Sequence, residues 1–349
     1  MPHPPPHSFF RNDRRALAAT LVDLADRTTV DGPWRSGAFA AVADSGVLAG
    51  FIPQECGGTG LTEAETTALL VSIAERCLTT ALVLTQWAAA VRIIASSPDP
   101  GKHELLPPLA RGESPTTVGI SHLTTSRRHL GRPALVATRS GDGWSLDGEC
   151  PWVTGADAAS SIVTGAATEG GGQAFFVVPT TSAGLTIAPP LKLLALAGSR
   201  TSPVTFRGVR PAHVLGSPPD GGPRTGGLST TALAVGAARA SAAVIASEAA
   251  ARPGLTTVAR EFAAEIEALE SRVLLAARDG IDPAARDRLR VDATSLVLRT
   301  AQASLTAAKG AGFVAGHPAE RLVRESLFFL VWSCPQAVAD AVLCDLAGV

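Results

Sequence analysis

The chain changes its hydrophobic period twice. Up to about Pro115 its apolar residues recur at helical spacing. From Thr116 to Leu215 they come in short runs rich in Val, Thr, Gly and Phe, separated by turn formers. Beyond Gly227 the helical spacing returns. Any fold must therefore place helices, then strands, then helices. With 349 residues, 46% of them hydrophobic, the chain can bury more than one core. The expected fold class is α+β in three parts: an N-terminal helical domain over 1–115, a small central β-domain over 116–215, and a C-terminal four-helix bundle over 216–349.

Local signals sharpen this outline. Leu17, Leu21 and Leu24 predict a helix over Arg14–Asp26, and a short helix is expected over Trp34–Ser45. Thr62 with Glu65 three residues on reads as a capping box that starts a helix running to about Cys77. Helices are also expected over Thr80–Ser96 and Lys102–Ala110. In the middle, Ser140-Gly-Asp-Gly143 predicts a hairpin between Ala134–Arg139 and Trp144–Glu149, with further strands at Ser161–Gly165, Ala174–Val178 and Pro203–Arg207. The segment Gly216–Gly227 reads as a linker. Phe262, Ile266, Leu269 and Val273 form one buried helix face, Asp282-Pro283 opens a long helix to about Lys309, and Gln336–Leu346 is the last helix.

Composition excludes some functions. A net charge of -1, with no block of like charge, gives nucleic acid or an anionic membrane nothing to hold. The five cysteines include no CxxC pair, which argues against a zinc site or a disulfide framework and for reduced thiols. The longest apolar stretch, Ala81 to Ala95, is broken by Thr85, Gln86 and Arg92, so no membrane span is expected. Residues 1–7 are polar and proline-rich, unlike a signal peptide, and a cytoplasmic location is the expectation.

Four ordered segments resemble the acyl-CoA dehydrogenase family. They are Gly50-Phe-Ile-Pro-Gln-Glu-Cys-Gly-Gly-Thr-Gly-Leu61; the run from Trp144 through Cys150-Pro-Trp-Val-Thr154; Leu191 through Gly198-Ser-Arg-Thr201 to Val209; and Lys309-Gly-Ala-Gly-Phe313 followed by His317-Pro-Ala-Glu-Arg-Leu-Val-Arg324. The resemblance implies a flavoprotein oxidoreductase with FAD as cofactor. It acts on an acyl thioester, on coenzyme A or a carrier protein, by α,β-dehydrogenation. It also implies a homodimer or homotetramer and an electron-transfer partner. Trp152 then covers the flavin ring, and Thr154 and Ser121 bond its edge. Ser126 stands near a later serine of the same loop, Ser199 and Thr201 stabilise a turn, and Gly310 and Gly312 let backbone approach the phosphates of a neighbour's cofactor.

The chain departs from that family in three places. Ile120 through Ser121 to His129 replaces the usual acidic flavin loop, and His122, Arg127, Arg128 and His129 form either a solvated basic loop or a site for an anionic group. Matching the turn after Arg324 places Ser333 on the family's catalytic glutamate. The alternative base position falls near Ser229, which leaves the catalytic base unassigned, with Glu325 the nearby carboxylate expected to pair with an arginine. Arg252 alone remains of a loop that touches the partner's cofactor. Two other readings stay open: a flavin-dependent monooxygenase or oxidase on the same fold, and a non-catalytic subunit of a heteromeric dehydrogenase.

Overall fold

The structure, a computed structural model, describes residues 38–124, 133–169, 171–217 and 227–348. The helix expected over Arg14–Asp26, most of the linker and the loop position Ser126 lie outside the described residues. Helix α1 spans Ala38–Asp44, α2 Glu63–Arg76, α3 Leu78–Ala95 and α4 Lys102–Ala110. The start of α2 is set locally. Thr62 Oγ1 accepts the Glu65 N–H at 3.2 Å, and Glu65 Oε2 accepts the Thr62 N–H at 2.8 Å, so two otherwise orphaned donors are satisfied.

Eight strands follow: β1 Thr116–Gly119, β2 Leu135–Ser140, β3 Gly143–Val153, β4 Ser161–Thr168, β5 Gln173–Pro179, β6 Leu185–Ile187, β7 Ser202–Val209 and β8 His213–Gly216. They form one sheet in the order β6-β7-β3-β2-β4-β5-β8, with β1 parallel beside β4. The hairpin closes with Ser140 opposite Gly143 across a two-residue turn. The run Ala174-Phe-Phe-Val-Val178 is continuous rather than alternating because β5 is covered on both sides. Phe175 and Val177 join the core under the helices, whereas Phe176 and Val178 join a second core within the sheet.

Beyond β8 the described residues hold only helices: α5 Leu228–Ala251, α6 Thr256–Asp279, α7 Pro283–Ala308, α8 Pro318–Ser326 and α9 Gln336–Ala347. Asp282 caps α7 by accepting the Ala285 N–H at 2.8 Å. Three helices are long and two short. Helix α5 packs against α6, α7 and, from the first third of the chain, α2. The first and last thirds of the sequence thus share one core. Helices α3 and α5 are long and apolar enough to cross a membrane by length and composition, yet most of each is buried inside the fold, as core helices are.

Candidate functional site

Residues far apart in sequence meet where β1 runs beside the end of β3. The Ser121 hydroxyl, in the helical turn after β1, lies 3.6 Å from Cys150 Sγ, and that sulfur lies 3.9 Å from the Trp152 carbonyl. Thr117 Oγ1 donates to the Thr154 carbonyl at 2.7 Å. The Thr154 hydroxyl is 3.2 Å from that of Thr201, which is 2.9 Å from that of Ser199. Ser121, Trp152, Thr154, Ser199 and Thr201 therefore belong to one constellation.

Strict alternation would give Trp152 and Thr154 equivalent surroundings. They do not have them. The β3–β7 register slips between Cys150 and Val153, where Pro151 has no N–H to offer the ladder. Trp152 is 48% exposed, whereas Thr154 is buried with its hydroxyl turned towards Thr201.

His122 corrects one expectation. It is neither part of a solvated loop nor a cation for an anionic group. It is buried, and its Nε2 bonds the Gly165 carbonyl at 2.8 Å. Burial pushes its pKa below the ordinary histidine value, so the ring is neutral near pH 7. With Nε2 donating, Nδ1 is a buried acceptor without a protein partner. Arg127, Arg128 and His129 lie outside the described residues.

The glycine turn has a conformation of its own. Residues Lys309–Phe313 form one short 3-10 turn, and neither Gly310 nor Gly312 has a positive φ. The left-handed side of the map falls on Lys309, at φ 54° and ψ -145°, a region used almost only by glycine. Gly312 is required for packing, since a Cβ there would stand 2.7 Å from the Ala308 Cβ. Gly310 has open space around it, and Phe313 and Val314 beside it are 80% and 63% exposed. Arg252 is committed elsewhere, to Glu248 and the Ala307 carbonyl.

Ser333 sits half-buried at φ 45° in a turn whose Trp332 stacks on Phe328 at 4.9 Å. Glu325 is 2% exposed and pairs with Arg321 at 3.1 Å, as expected of it. The other base position, Ser229, opens onto a cleft of about 50 Å³ that spacing along the sequence does not reveal. Helix α2 lines it with Glu63, Thr66, Thr67 and Leu70, and α3 with Thr85, Ala88, Ala89 and Arg92. Each set repeats at i, i+3, i+4 and i+7, the spacing of one helix face. That signal was present in the sequence. Knowing that the two faces meet at Ser229 requires the fold.

Residues 6–113 match the model of the acyl-CoA dehydrogenase N-terminal domain. A relative, the probable acyl-CoA dehydrogenase YngJ of Bacillus subtilis, is 27% identical over 238 residues. Over residues 6–113 the chain carries that family's N-terminal domain, and over a longer stretch it is similar to acyl-CoA dehydrogenases. The aligned stretch covers 63% of this chain and 62% of that relative, so the chain spans less than two thirds of the relative's length. Acyl-CoA dehydrogenase architecture extends over the rest. A glutaryl-coenzyme A dehydrogenase solved with glutaryl-CoA superposes with TM-score 0.82 at 19% identity, covering 100% of this chain and 97% of that one. KijD3, solved with FMN and a dTDP-linked sugar, superposes with TM-score 0.80 at 21% identity, covering 99% and 95%.

Proposed function

We propose that this protein is a flavin-dependent oxidoreductase of acyl thioesters, on coenzyme A or a carrier protein, that removes hydrogen from the α and β carbons. The observation that carries this reading is the meeting of Ser121 with the Cys150–Thr154 end of β3 beneath an exposed indole. Several features fit a flavin. Trp152 offers a free aromatic surface, His122 Nδ1 is a buried acceptor lacking a donor, and the backbone at Gly310 is open to approach. The structural likeness to KijD3, which was solved with FMN, points the same way.

FAD, when bound, supplies the hydride acceptor. The indole of Trp152 would cover one side of the ring and keep water from it. Ser121 would bond the ring edge. Thr154, already bonded to Thr201, keeps the β3 end in place and retains bonding capacity for the same edge. Ser126, outside the described residues, follows Ser121 by five positions in the sequence and would add a further hydroxyl. Gly310 and Gly312 carry the backbone that meets a neighbouring subunit's cofactor, which requires a homodimer or homotetramer. A flavoprotein partner in the cytoplasm would accept the electrons.

A second reading is favoured by Ser333 and by the sequestered Glu325: a monooxygenase or oxidase, in which no carboxylate needs to take an α-proton. The visible spectrum of the purified protein tests both. Bound or readily absorbed FAD supports a flavoenzyme, and a colourless protein that takes up none overturns it. Trp152→Ala should weaken FAD binding about tenfold, a typical worth of one aromatic stacking contact, with little loss of stability because the indole is half-exposed.

A further inference from the structure

We propose that the cleft between α2, α3 and the start of α5 receives a short, hydroxyl-bearing acyl group and rejects plain alkyl chains. The inference rests on the thioester reading above and names the class of acyl group. Size sets the first limit. At about 10–15 Å³ of cavity space per water, a cleft of about 50 Å³ has room for roughly three to five small groups, a short acyl chain rather than a long one. Ala88 and Ala89 make this room on α3, and Leu70 and Phe51 bound it.

Lining chemistry sets the second. The hydroxyls of Thr66, Thr67 and Ser229 bond no side chain or backbone group among the described residues, although Thr67 is buried. Thr85, by contrast, is engaged with Leu82 and Gln86. Three hydroxyls without protein partners converge on one small space, each able to donate and to accept. A hydroxyl on the acyl chain would replace the water they otherwise bond. A methyl or methylene there would strand them.

The rim adds to this. Glu63 and Arg92, both exposed, lie 14 and 15 residues on either side of Cys77 (77 − 63 and 92 − 77), on one lined space, yet form no ion pair with each other or with other described groups. Two unpaired charges keep the entrance hydrated, which opposes entry of an alkyl chain. A site built to bond a substrate hydroxyl discriminates far more strongly than one that only measures size.

The test uses the full-length protein loaded with FAD. It is titrated with β-hydroxybutyryl and butyryl thioesters, each on coenzyme A and on pantetheine, by calorimetry and by the change in the flavin spectrum. The hydroxylated ligand should bind at least about tenfold more tightly on either carrier. Thr67→Val and Ser229→Ala should each bring the ratio close to one. Ser229 is half-buried at a helix start, so that variant folds even if the valine variant does not. Equal binding of the two acyl groups, or a preference that survives both substitutions, overturns the polar cleft and leaves the thioester reading intact. Binding of neither acyl group on either carrier overturns the thioester reading and this inference with it.

Discussion

Arg290 Nη2 donates to the Trp332 carbonyl at 3.2 Å from a guanidinium with no exposed surface. The same nitrogen donates to the Phe329 carbonyl at 3.1 Å, while Nε and Nη1 have no protein partner. Burial pushes its pKa down to about 10. Two effects of similar size oppose each other. Burying an unpaired cation costs several kcal/mol. Two hydrogen bonds from a charged donor contribute about 1.5–3 kcal/mol each. Arg290→Met removes both effects and should change stability by no more than about 2 kcal/mol. Arg290→Lys keeps the buried charge without the planar fork that spans both carbonyls, so it should melt below the methionine variant. Thermal unfolding of the three proteins decides the order, and a lysine variant as stable as the native chain would remove the clamp.

His122 should make the fold acid-sensitive. Its folded pKa lies below its ordinary value of 6.5, because burial disfavours the charged ring. As pH falls through that value the unfolded chain takes up a proton that the folded chain refuses, so stability is present above it and is lost below it. His122→Gln, whose amide can still donate to the Gly165 carbonyl, should flatten urea-unfolding stability between about pH 6.5 and pH 5. An unchanged slope would place the acid sensitivity elsewhere.

Ser333→Glu should restore a base to the half-buried turn at Trp332. Losing a general base costs about 10²–10⁴ in rate, and the substitution should recover part of that factor in anaerobic flavin bleaching by a short acyl thioester. Glu325→Gln should instead lower stability by about 1.5–3 kcal/mol, because the buried carboxylate loses its charge-assisted bond to Arg321. Fast bleaching by the native protein that survives Glu325→Gln would show that a different residue is the base.

The exposed pair Phe313 and Val314 should be covered in solution by a second copy of the chain. Phe313→Asp should shift the mass seen by light scattering from oligomer to monomer. A native protein that is monomeric at micromolar concentration would rule out the shared cofactor site.

What the sequence made legible was local or periodic. The Thr62–Glu65 box, the Ser140–Gly143 hairpin and the Asp282 cap each depend on residues a few positions apart, and each forms as read. The arginine partner of Glu325 is equally local, at i−4. The features that escaped depend on what lies opposite. His122 looks like the start of a basic loop until β4 places the Gly165 carbonyl against it. Arg290 looks like one more charge on a helix carrying Arg286 and Arg288, yet its side of α7 faces the turn before Ser333. The cleft at Ser229 exists only because α2 and α3 present two faces to one space.

Strand β5 carries Phe175-Phe176 and Val177-Val178, two identical pairs, across two apolar faces. A slip by one residue would seat Phe176 in the place of Phe175 and Val178 in that of Val177, but Val177 in that of Phe176 and Pro179 in that of Val178. Polarity alone barely separates the two arrangements, and side-chain size does more. Gly165 adds a fit of shape. It lies opposite Phe175 on β4, and a Cβ at that position would stand 2.9 Å from the Phe175 ring and 2.5 Å from Leu123. Thr164, which carries a Cβ, stands opposite Phe176, whose ring lies on the other face. The missing methyl group at Gly165 leaves room for the Phe175 ring, and the same residue's carbonyl anchors His122. One residue thus makes room for a ring of β5 and anchors the imidazole beside Ser121, whose neutrality comes from burial.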